Sequence, residues 1–218
     1  MSKISYKAIK RVFDIILSIV FLLLFSPLLL LASLLIFLTD RKGVFVKEPL
    51  RYGLGGKEFR MFKFRTMIPD AHMELLGNPK YAKLKSKWEG NSNKLRVNED
   101  PRVTWIGRIL RKTDIDELPQ LLNVLIGQMS LVGPRPTYKT EIEAHLKKYP
   151  KDEKYLKDVF LVRPGITGIW QVSGRNKISL HKRLSMEVEY AQNLNLIDDV
   201  KIFLKTPKVV LTRGGAYE

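Results

Sequence analysis

The chain has 218 residues and a formal net charge of +16, with 38 lysines and arginines against 22 acidic residues. That length allows one compact domain and one additional element, and the positive charge favours anionic partners such as nucleic acid, a lipid surface or phosphorylated substrates. The absence of cysteine excludes disulfides and thiolate metal sites. His72, His145 and His181 show no metal-ligand spacing, so we interpret each as an ordinary surface or core residue.

An apolar stretch at residues 15–38 has no charged residue and exceeds the ~20 residues that a helix needs to cross a bilayer. Ser26 and Pro27 lie near its midpoint, where the missing amide of proline predicts a kink or a break. Each half would then span roughly one leaflet. The flanking charges are positive on both sides: Lys3, Lys7, Lys10 and Arg11 before the stretch, and Arg41, Lys42 and Lys47 after it.

Lysine and arginine mark the cytoplasmic side of a membrane, and the two ends of a single crossing cannot both satisfy that rule. We therefore predict a re-entrant helix that bends at Ser26-Pro27 and returns to the same face. A tilted, kinked single span is the alternative, since prolines are common in spanning helices. Asp14, the one acidic residue before the stretch, is expected either to pair with Arg11 or to be solvated.

Residues 44–67 are predicted to form a β-hairpin, because aromatic and β-branched residues flank the turn signal Leu54-Gly55-Gly56. Lys63 and Arg65 alternate with phenylalanines in its second half. This pattern is typical either of a surface that stacks nucleic-acid bases or of a membrane-proximal strand that contacts phosphate. The neighbouring apolar stretch favours the second interpretation, so we predict phosphate contacts and no nucleic-acid partner.

A polar stretch at residues 68–99 follows, in which residues 80–88 are typical of a basic helix at a membrane surface or in solvent. Leucine spacing then predicts a helix over residues 118–126, with a proline in its first turn and a glycine after its end. Asp116 and Glu117 would lie at the helix N-terminus, where exposed amides favour an ionised carboxylate. A plain N-cap role for Asp116 is the alternative.

Basic residues lie on both sides of this acidic pair. Arg108, Arg111 and Lys112 precede it, and Arg135 follows it in a stiff Gly-Pro-Arg-Pro loop. The simplest purpose of this arrangement is that the arginines bind a phosphate or diphosphate, while a divalent cation screens it from the carboxylates.

Residues 137–160 are predicted to be a charged helical cover broken at Pro150. The glycines and arginines of residues 161–176 could wrap amides and guanidinium groups around a phosphate or nucleotide. The candidate binding residues there are Arg163, Gly165, Gln171, Arg175 and Asn176. Two more helices are predicted, at residues 179–193, which include Glu187, and at residues 196–213, which suit a membrane surface.

Four segments occur in the order found in bacterial sugar transferases: the apolar helix interrupted at Ser-Pro, YGLGGKEFRMFKFRTM, DELPQLLNVLIGQMSLVGPRP and RPGITGIWQVSGRN. Over nearly its whole length the chain resembles the monotopic phosphoglycosyl transferases of this family. The resemblance implies transfer of a sugar-1-phosphate from a UDP-sugar to a polyprenyl phosphate, usually undecaprenyl phosphate, with release of UMP. It also implies Mg²⁺ with Asp116 as a metal ligand, a catalytic pair formed by Asp116 and Glu117, and phosphate contacts by Arg111 and Arg135.

The expected mechanism has two steps: Asp116 attacks the β-phosphate, and polyprenyl phosphate then attacks the aspartyl intermediate. Direct transfer with Asp116 as a metal ligand alone and a non-catalytic membrane adaptor are the alternatives. Glu187 stands where the family commonly has aspartate and Asp114 where it more often has an uncharged residue, so a site role for either stays open. Galactose, glucose, N-acetylgalactosamine and modified bacillosamine donors also stay open.

The predicted fold class is α+β: a mostly helical, membrane-associated domain with a small β-hairpin or sheet, a helix-break-helix membrane element and amphipathic interfacial helices. Residues 1–40 would form the membrane element, and residues 41–218 a catalytic domain on the cytoplasmic face of the bacterial inner membrane. The sequence does not contain the large N-terminal domain of some relatives, which predicts a catalytic-core form for capsule, exopolysaccharide or glycoconjugate synthesis. Anionic phospholipids are expected partners, and a homo-oligomer stays open.

Overall fold

A computed structural model describes residues 3–46, 49–90, 95–174 and 178–212. The described residues are mostly helical with two two-stranded sheets, which confirms the predicted α+β class. The helices are α1 (Lys3–Asp40), α2 (Ala71–Gly77), α3 (Ala82–Gly90), α4 (Trp105–Thr113), α5 (Gln120–Leu125), α6 (Lys139–Lys148), α7 (Glu153–Val159), α8 (Ile169–Ser173), α9 (Leu180–Gln192) and α10 (Leu196–Leu211). The strands are β1 (Arg51–Tyr52), β2 (Glu58–Phe59), β3 (Ser130–Val132) and β4 (Gly165–Thr167).

Helix α1 contains the apolar stretch and continues through Pro27. Of the predicted kink or break, the break is therefore absent, since the helix is not interrupted, and the reason lies in the preceding residue. Pro27 has no amide to donate to the carbonyl of Leu23, four residues earlier, and the hydroxyl of Ser26 donates to that oxygen instead, at 2.8 Å. A serine that satisfies the carbonyl left by proline allows a helix to continue in an apolar environment.

Both ends of α1 pack against the rest of the protein. Within α1, Ser5–Thr39 is, among the described residues, the one segment long and apolar enough to cross a membrane. Phe13 and Leu17 pack against one buried cluster near the start of the helix, and Ala32 and Ile36 are buried in another near its end. The side chains near the middle are exposed, as at Leu23, Leu24, Leu30 and Leu31. The rest of the protein therefore packs on both halves of α1, on either side of Pro27.

Two charged residues of α1 bind the backbone of distant elements. The carboxylate of Asp14, 2% exposed, accepts a hydrogen bond from the amide of Leu131 at 3.0 Å. The guanidinium of Arg11 donates to the carbonyls of Val124 and Leu125, at 2.6 and 2.9 Å. The structure thus corrects both sequence expectations for Asp14, because neither an ion pair with Arg11 nor a solvated carboxylate is found. The partners lie more than 110 residues away in the sequence, where local spacing gives no indication of them.

A buried carboxylate joins α1 to α9 and α10. Asp199 accepts hydrogen bonds from the hydroxyls of Tyr6 and Tyr190, at 2.6 and 2.7 Å. The ammonium of Lys10 lies 3.0 Å from the same carboxylate. Three donors from two other helices therefore satisfy one aspartate that is 1% exposed.

The main core lies between α1, α5, β3, α9 and α10, and its buried members are Phe59, Leu121, Val124, Met129, Leu131, Val132, Tyr190 and Ile202. Strands β3 and β4 are parallel, with Ser130 opposite Gly165 and Val132 opposite Thr167. A Cβ at Gly165 would overlap the backbone of Gly133, so the absence of a side chain allows the two loops to approach. The core therefore holds residues 100–136, which include the acidic pair and the Gly-Pro-Arg-Pro loop, against α1.

Most predicted elements are confirmed in type, with shorter bounds. The hairpin is present, with Arg51 opposite Phe59 and Gly55 in the left-handed region of its turn. The helix expected at 118–126 is α5, and the charged cover divides at Pro150 into α6 and α7. The remaining predicted helices correspond to α3, α9 and α10.

The histidines occupy core and surface positions, as expected, but two of them share a partner. His145 is buried and His181 is exposed, and a ring nitrogen of each lies 2.8 Å from the carboxylate of Asp152. The ring of His72 lies 5.8 Å from that of Trp88.

Candidate active site

The acidic pair lies in a 3₁₀ turn, Ile115–Glu117, between α4 and α5. Helix α4 ends because Asp114 adopts a left-handed conformation (φ 55°) and its amide returns to the carbonyl of Leu110. The next two residues then face different environments. The side chain of Asp116 is only 3% exposed, whereas that of Glu117 is 38% exposed. One carboxylate is therefore held inside the protein, and its neighbour reaches solvent.

Lys63 joins the two carboxylates. Its ammonium nitrogen lies 2.9 Å from Oδ2 of Asp116 and 2.9 Å from Oε1 of Glu117. The hairpin segment that contains Lys63 is fixed to the turn, since the amide of Phe64 donates to the carbonyl of Asp116 at 3.0 Å. The sequence predicted a phosphate contact for Lys63, and the structure adds a role at the acidic pair.

Burial raises the pKa of Asp116, and the neighbouring Glu117 raises it further, while Lys63 and Arg111 lower it. For Lys63 burial alone would lower the pKa, but the two carboxylates raise it overall. The sequence attributed an ionised Asp116 to a helix N-terminus. In the structure burial disfavours the charged form of Asp116, and Lys63 and Arg111 favour it.

Arg111 lies on the last turn of α4, and its Nε donates to the hydroxyl of Thr66 at 2.8 Å. Burial lowers its pKa, and the negative charge of Asp116 opposes that shift. This predicted phosphate ligand is thus near the acidic pair without an ion pair to it.

Arg135 is held by α9. Its amide donates to Oε1 of Glu187 at 3.0 Å, and its guanidinium lies 5.4 Å from the ring centre of Trp170. Burial raises the pKa of Glu187 to about 7, opposed by Arg183 and Arg135. Glu187, whose participation the sequence left open, therefore holds the backbone of the Gly-Pro-Arg-Pro loop.

Arg51 is a residue that the sequence reasoning missed. It lies in β1, and its guanidinium stacks on Tyr138 at 4.4 Å. Burial lowers its pKa to about 10, with Arg135 lowering it further and Glu117 among the groups that oppose the shift. Within the part of the chain that the structure describes, Nε and Nη1 of Arg51 and Nε of Arg135 are buried without a hydrogen-bond partner. The one available signal was a basic residue in the same hairpin as Lys63.

The other predicted ligands make structural contacts. Arg65 donates to the carbonyls of Gly43 and Met67, at 2.8 and 3.2 Å, and Arg163 donates to the carbonyl of Gly127 at 2.8 Å. Gly165 lies in the β3–β4 pair, and the amide nitrogen of Gln171 is 3.4 Å from the carbonyl of Ile166. Arg175 and Asn176 lie outside the described residues.

The geometry can support chemistry on a phosphate. A buried carboxylate, an adjacent accessible carboxylate and a lysine form one cluster. The charge of Glu117 acts on Arg51, which in turn interacts with Arg135. Unpaired buried guanidinium groups are costly unless an anion satisfies them. Paired carboxylate oxygens are also the donors that Mg²⁺ prefers together with substrate phosphates.

Known proteins resemble the chain over most of its length. Residues 5–213 match the model of the bacterial sugar transferase family. The chain is 41% identical over 220 residues to the undecaprenyl-phosphate galactose phosphotransferase of Salmonella typhimurium, covering all of this chain and 43% of that protein. It is 40% identical to the exopolysaccharide production protein ExoY of Rhizobium meliloti, covering 94% of this chain and 87% of ExoY.

A further relative is the UDP-glucose:undecaprenyl-phosphate glucose-1-phosphate transferase of Caulobacter vibrioides, which is 37% identical over 95% of this chain and 72% of its own length. The chain spans less than half the length of some of these relatives, including the Salmonella protein. The match of the family model covers nearly the whole chain, and the chain therefore belongs to the bacterial sugar transferase family.

Proposed function

We propose that the protein transfers a sugar-1-phosphate from a UDP-sugar to a polyprenyl phosphate and releases UMP. The names of the Salmonella and Caulobacter relatives support undecaprenyl phosphate as the acceptor. The observation that carries the proposal is the buried Asp116, held by Lys63 beside the accessible Glu117 and within the electrostatic influence of Arg111. The product would start an exopolysaccharide, capsule or other glycoconjugate.

In the first step a carboxylate oxygen of Asp116 attacks the β-phosphorus of the UDP-sugar. A phosphorus–oxygen bond forms to Asp116 as the bond to the bridging oxygen breaks, and UMP leaves with that oxygen. In the second step a phosphate oxygen of the polyprenyl phosphate attacks the same phosphorus. The bond to Asp116 breaks, and the product is a polyprenyl diphosphate sugar.

The surrounding residues have distinct roles in this mechanism. Lys63 keeps Asp116 ionised and oriented, and Glu117 orients Asp116 or accepts a proton from the incoming acceptor phosphate. Arg51, Arg111 and Arg135 bind phosphate oxygens of the donor. Mg²⁺, when bound, would be held by the carboxylates of Asp116 and Glu117 and would neutralise charge on the diphosphate.

Helix α1 is proposed to enter the membrane from the cytoplasmic face and to return to it. Support comes from the packing of both helix ends on one domain and from the basic residues on both flanks. The charge of +16 favours binding to anionic phospholipids, to which each basic residue near the surface contributes ~1 kcal/mol. Donor and lipid acceptor could then reach Asp116 in turn.

The direct test is an assay of UMP release by the full chain in detergent or nanodiscs, with undecaprenyl phosphate and a panel of UDP-sugars. We expect release with at least one donor, and mass spectrometry of a donor-treated sample should find a sugar-phosphate adduct on Asp116. Ping-pong kinetics are expected, whereas sequential kinetics without an adduct would favour direct transfer. No release with any donor would favour a membrane adaptor.

Asp114→Asn is the matched control for Asp116→Asn. Asn tolerates the left-handed conformation at position 114, so the turn between α4 and α5 should be kept. We expect the adduct in Asp114→Asn and its loss in Asp116→Asn. An adduct that persisted in Asp116→Asn would contradict the assignment of the nucleophile.

A further inference from the structure

We propose that His145, Asp152 and His181 form a binding site for a transition-metal ion such as Zn²⁺, separate from the acidic pair. Nε2 of His145 and Nδ1 of His181 each lie 2.8 Å from the same atom, Oδ2 of Asp152. The three donor atoms all lie within 4.8 Å of one another. Side chains from α6, from the turn Pro150–Asp152 and from α9 thus converge on one point.

The spacing of these donor atoms is close to that of a metal site. Zinc binds imidazole nitrogen and carboxylate oxygen at ~2.0–2.2 Å in tetrahedral geometry, which separates neighbouring ligand atoms by ~3.3 Å. The observed separations of 2.8 Å would therefore have to open by only ~0.5 Å. A rotation of the His181 side chain, which is 53% exposed, can open its separation from Asp152. A rotation of the Asp152 carboxylate about its own axis can open the separation from His145.

The donor set selects the class of ion. Two imidazole nitrogens and one carboxylate oxygen are typical ligands of zinc and related transition metals. Mg²⁺ and Ca²⁺ prefer all-oxygen surroundings, which the Asp116–Glu117 pair offers and this cluster does not. One protein can in this way hold two chemically different cation sites.

The surroundings orient the ligands and leave one side open. The side chains of His145 and Asp152 are 5% and 7% exposed, so two ligands are fixed inside the protein. Tyr149 packs against both imidazoles, with ring centres 5.1 Å from His145 and 4.9 Å from His181. The exposed side of His181 gives an ion access from solvent and leaves a fourth position for water.

The position of the cluster indicates a structural role for the ion. Arg183, two residues after His181 in α9, lies 3.1 Å from Glu141, which is one turn before His145 in α6, and 3.7 Å from Glu187. Glu187 in turn binds the amide of Arg135. An ion at the cluster would therefore fasten α6 to α9 behind the loop that presents Arg135, without contact to the reacting phosphate.

The test is a Zn²⁺ titration of the full chain in detergent after removal of metals by a chelator, followed by calorimetry and by the visible absorption of bound Co²⁺. We expect one ion per chain. At a free Zn²⁺ concentration of 100 times Kd, the midpoint of thermal unfolding should rise by about 5–10 °C. Neither readout depends on transferase activity, so a failure here is distinguishable from a failure of the proposed function.

Three variants decide the outcome. His181→Ala removes an exposed ligand, Asp152→Asn provides a second independent change, and His72→Ala removes the histidine outside the cluster as the matched control. Zn²⁺ binding should be lost in the first two and kept in the control. Absence of binding in the wild type, or equal binding in His181→Ala, would show that the cluster is a hydrogen-bonded carboxylate only. Loss in the His72 variant would place the ion elsewhere.

Discussion

Asp116 and Asp199 are both buried aspartates with a lysine partner, but their surroundings differ. Asp199 receives two tyrosine hydroxyls and the ammonium of Lys10, each within 3.0 Å. Asp116 shares its single lysine, Lys63, with a second carboxylate. A carboxylate with several close donors is stabilised as an anion and is a poor nucleophile. In this chain the number of close donors therefore separates a structural aspartate, Asp199, from the one that we propose to react, Asp116.

The arginines repeat the same contrast. Arg102 makes two hydrogen bonds to the carboxylate of Asp100, at 2.9 and 2.7 Å. Arg51 and Arg135 have buried nitrogens without partners among the described residues. The first arginine is satisfied within the protein, while the other two have buried donors that no group among the described residues satisfies.

The largest effect is expected when each of the two aspartates is replaced by asparagine. Asp116→Asn should lower UMP release by at least ~1000-fold, because the nucleophile is lost, with little change in the midpoint of thermal unfolding. Asp199→Asn should lower that midpoint clearly, since two tyrosines and Lys10 lose a charged acceptor, and should keep activity per folded molecule within ~3-fold. Comparable loss of turnover in both variants would refute the distinction.

Lys63→Met tests how the charge of Asp116 is maintained. Without the ammonium, burial should raise the pKa of Asp116 further, so the rising limb of the pH–activity profile should move to higher pH and activity at neutral pH should fall by ~10- to 100-fold.

The raised pKa of Asp116 also sets how the stability of the protein changes with pH. A raised carboxylate pKa means that the folded protein binds the proton more tightly than the unfolded chain. Asp116 therefore destabilises the fold as the pH rises from the ordinary pKa of an aspartate through the raised pKa.

Lys63→Arg is the control for Lys63→Met, because it keeps the cation and should largely retain the wild-type pH–activity profile. An unchanged limb in Lys63→Met would contradict the role of Lys63.

Arg51→Ala tests the arginines with unused donors. The loss of charge-assisted hydrogen bonds to a phosphate should lower kcat/KM for the UDP-sugar by ~10- to 100-fold, measured by initial rates of UMP release. Arg60→Ala in the same hairpin is the control, because its side chain is exposed, and it should match the wild type. An equal response of the two variants would remove Arg51 from the site.

The smallest effect is expected at Asp199, the aspartate with three close donors. Tyr190→Phe removes the 2.7 Å hydrogen bond to Asp199 and should lower the free energy of unfolding by ~1.5–3 kcal/mol. Turnover per folded molecule should stay within ~2-fold of the wild type. A specific loss of turnover at unchanged stability would mean that Asp199 takes part in the reaction.

Local signals were sufficient for part of the fold and the site. The spacing of leucines around Pro119 and Gly127 located α5 within two residues at its start, and the glycine turn located the hairpin. Asp116 and Glu117 could be singled out because they adjoin a helix start and lie between basic segments in the sequence. These features depend on residues that are close in the sequence, and the conformational preferences of such residues can be read from their types and spacing.

Contacts between distant residues could not be predicted in this way. Tyr6 meets Asp199 across 193 positions, and His181 meets Asp152 across 29 positions. Arg65 and Arg163 have the same charge as Arg51, yet they bind backbone carbonyls. The sequence shows that a residue is a cation, whereas packing decides whether its hydrogen-bond donors already have partners within the protein.

The guanidinium of Arg11 on the last carbonyls of α5 has a consequence for biogenesis. The acidic turn precedes one end of α5, and the N-terminal membrane helix closes the other end. A newly made chain whose first helix has not yet packed on the rest of the protein would lack this closure, and the turn with Asp116 and Glu117 would be held less firmly. The acidic pair would then reach its final geometry only after the N-terminal helix has docked.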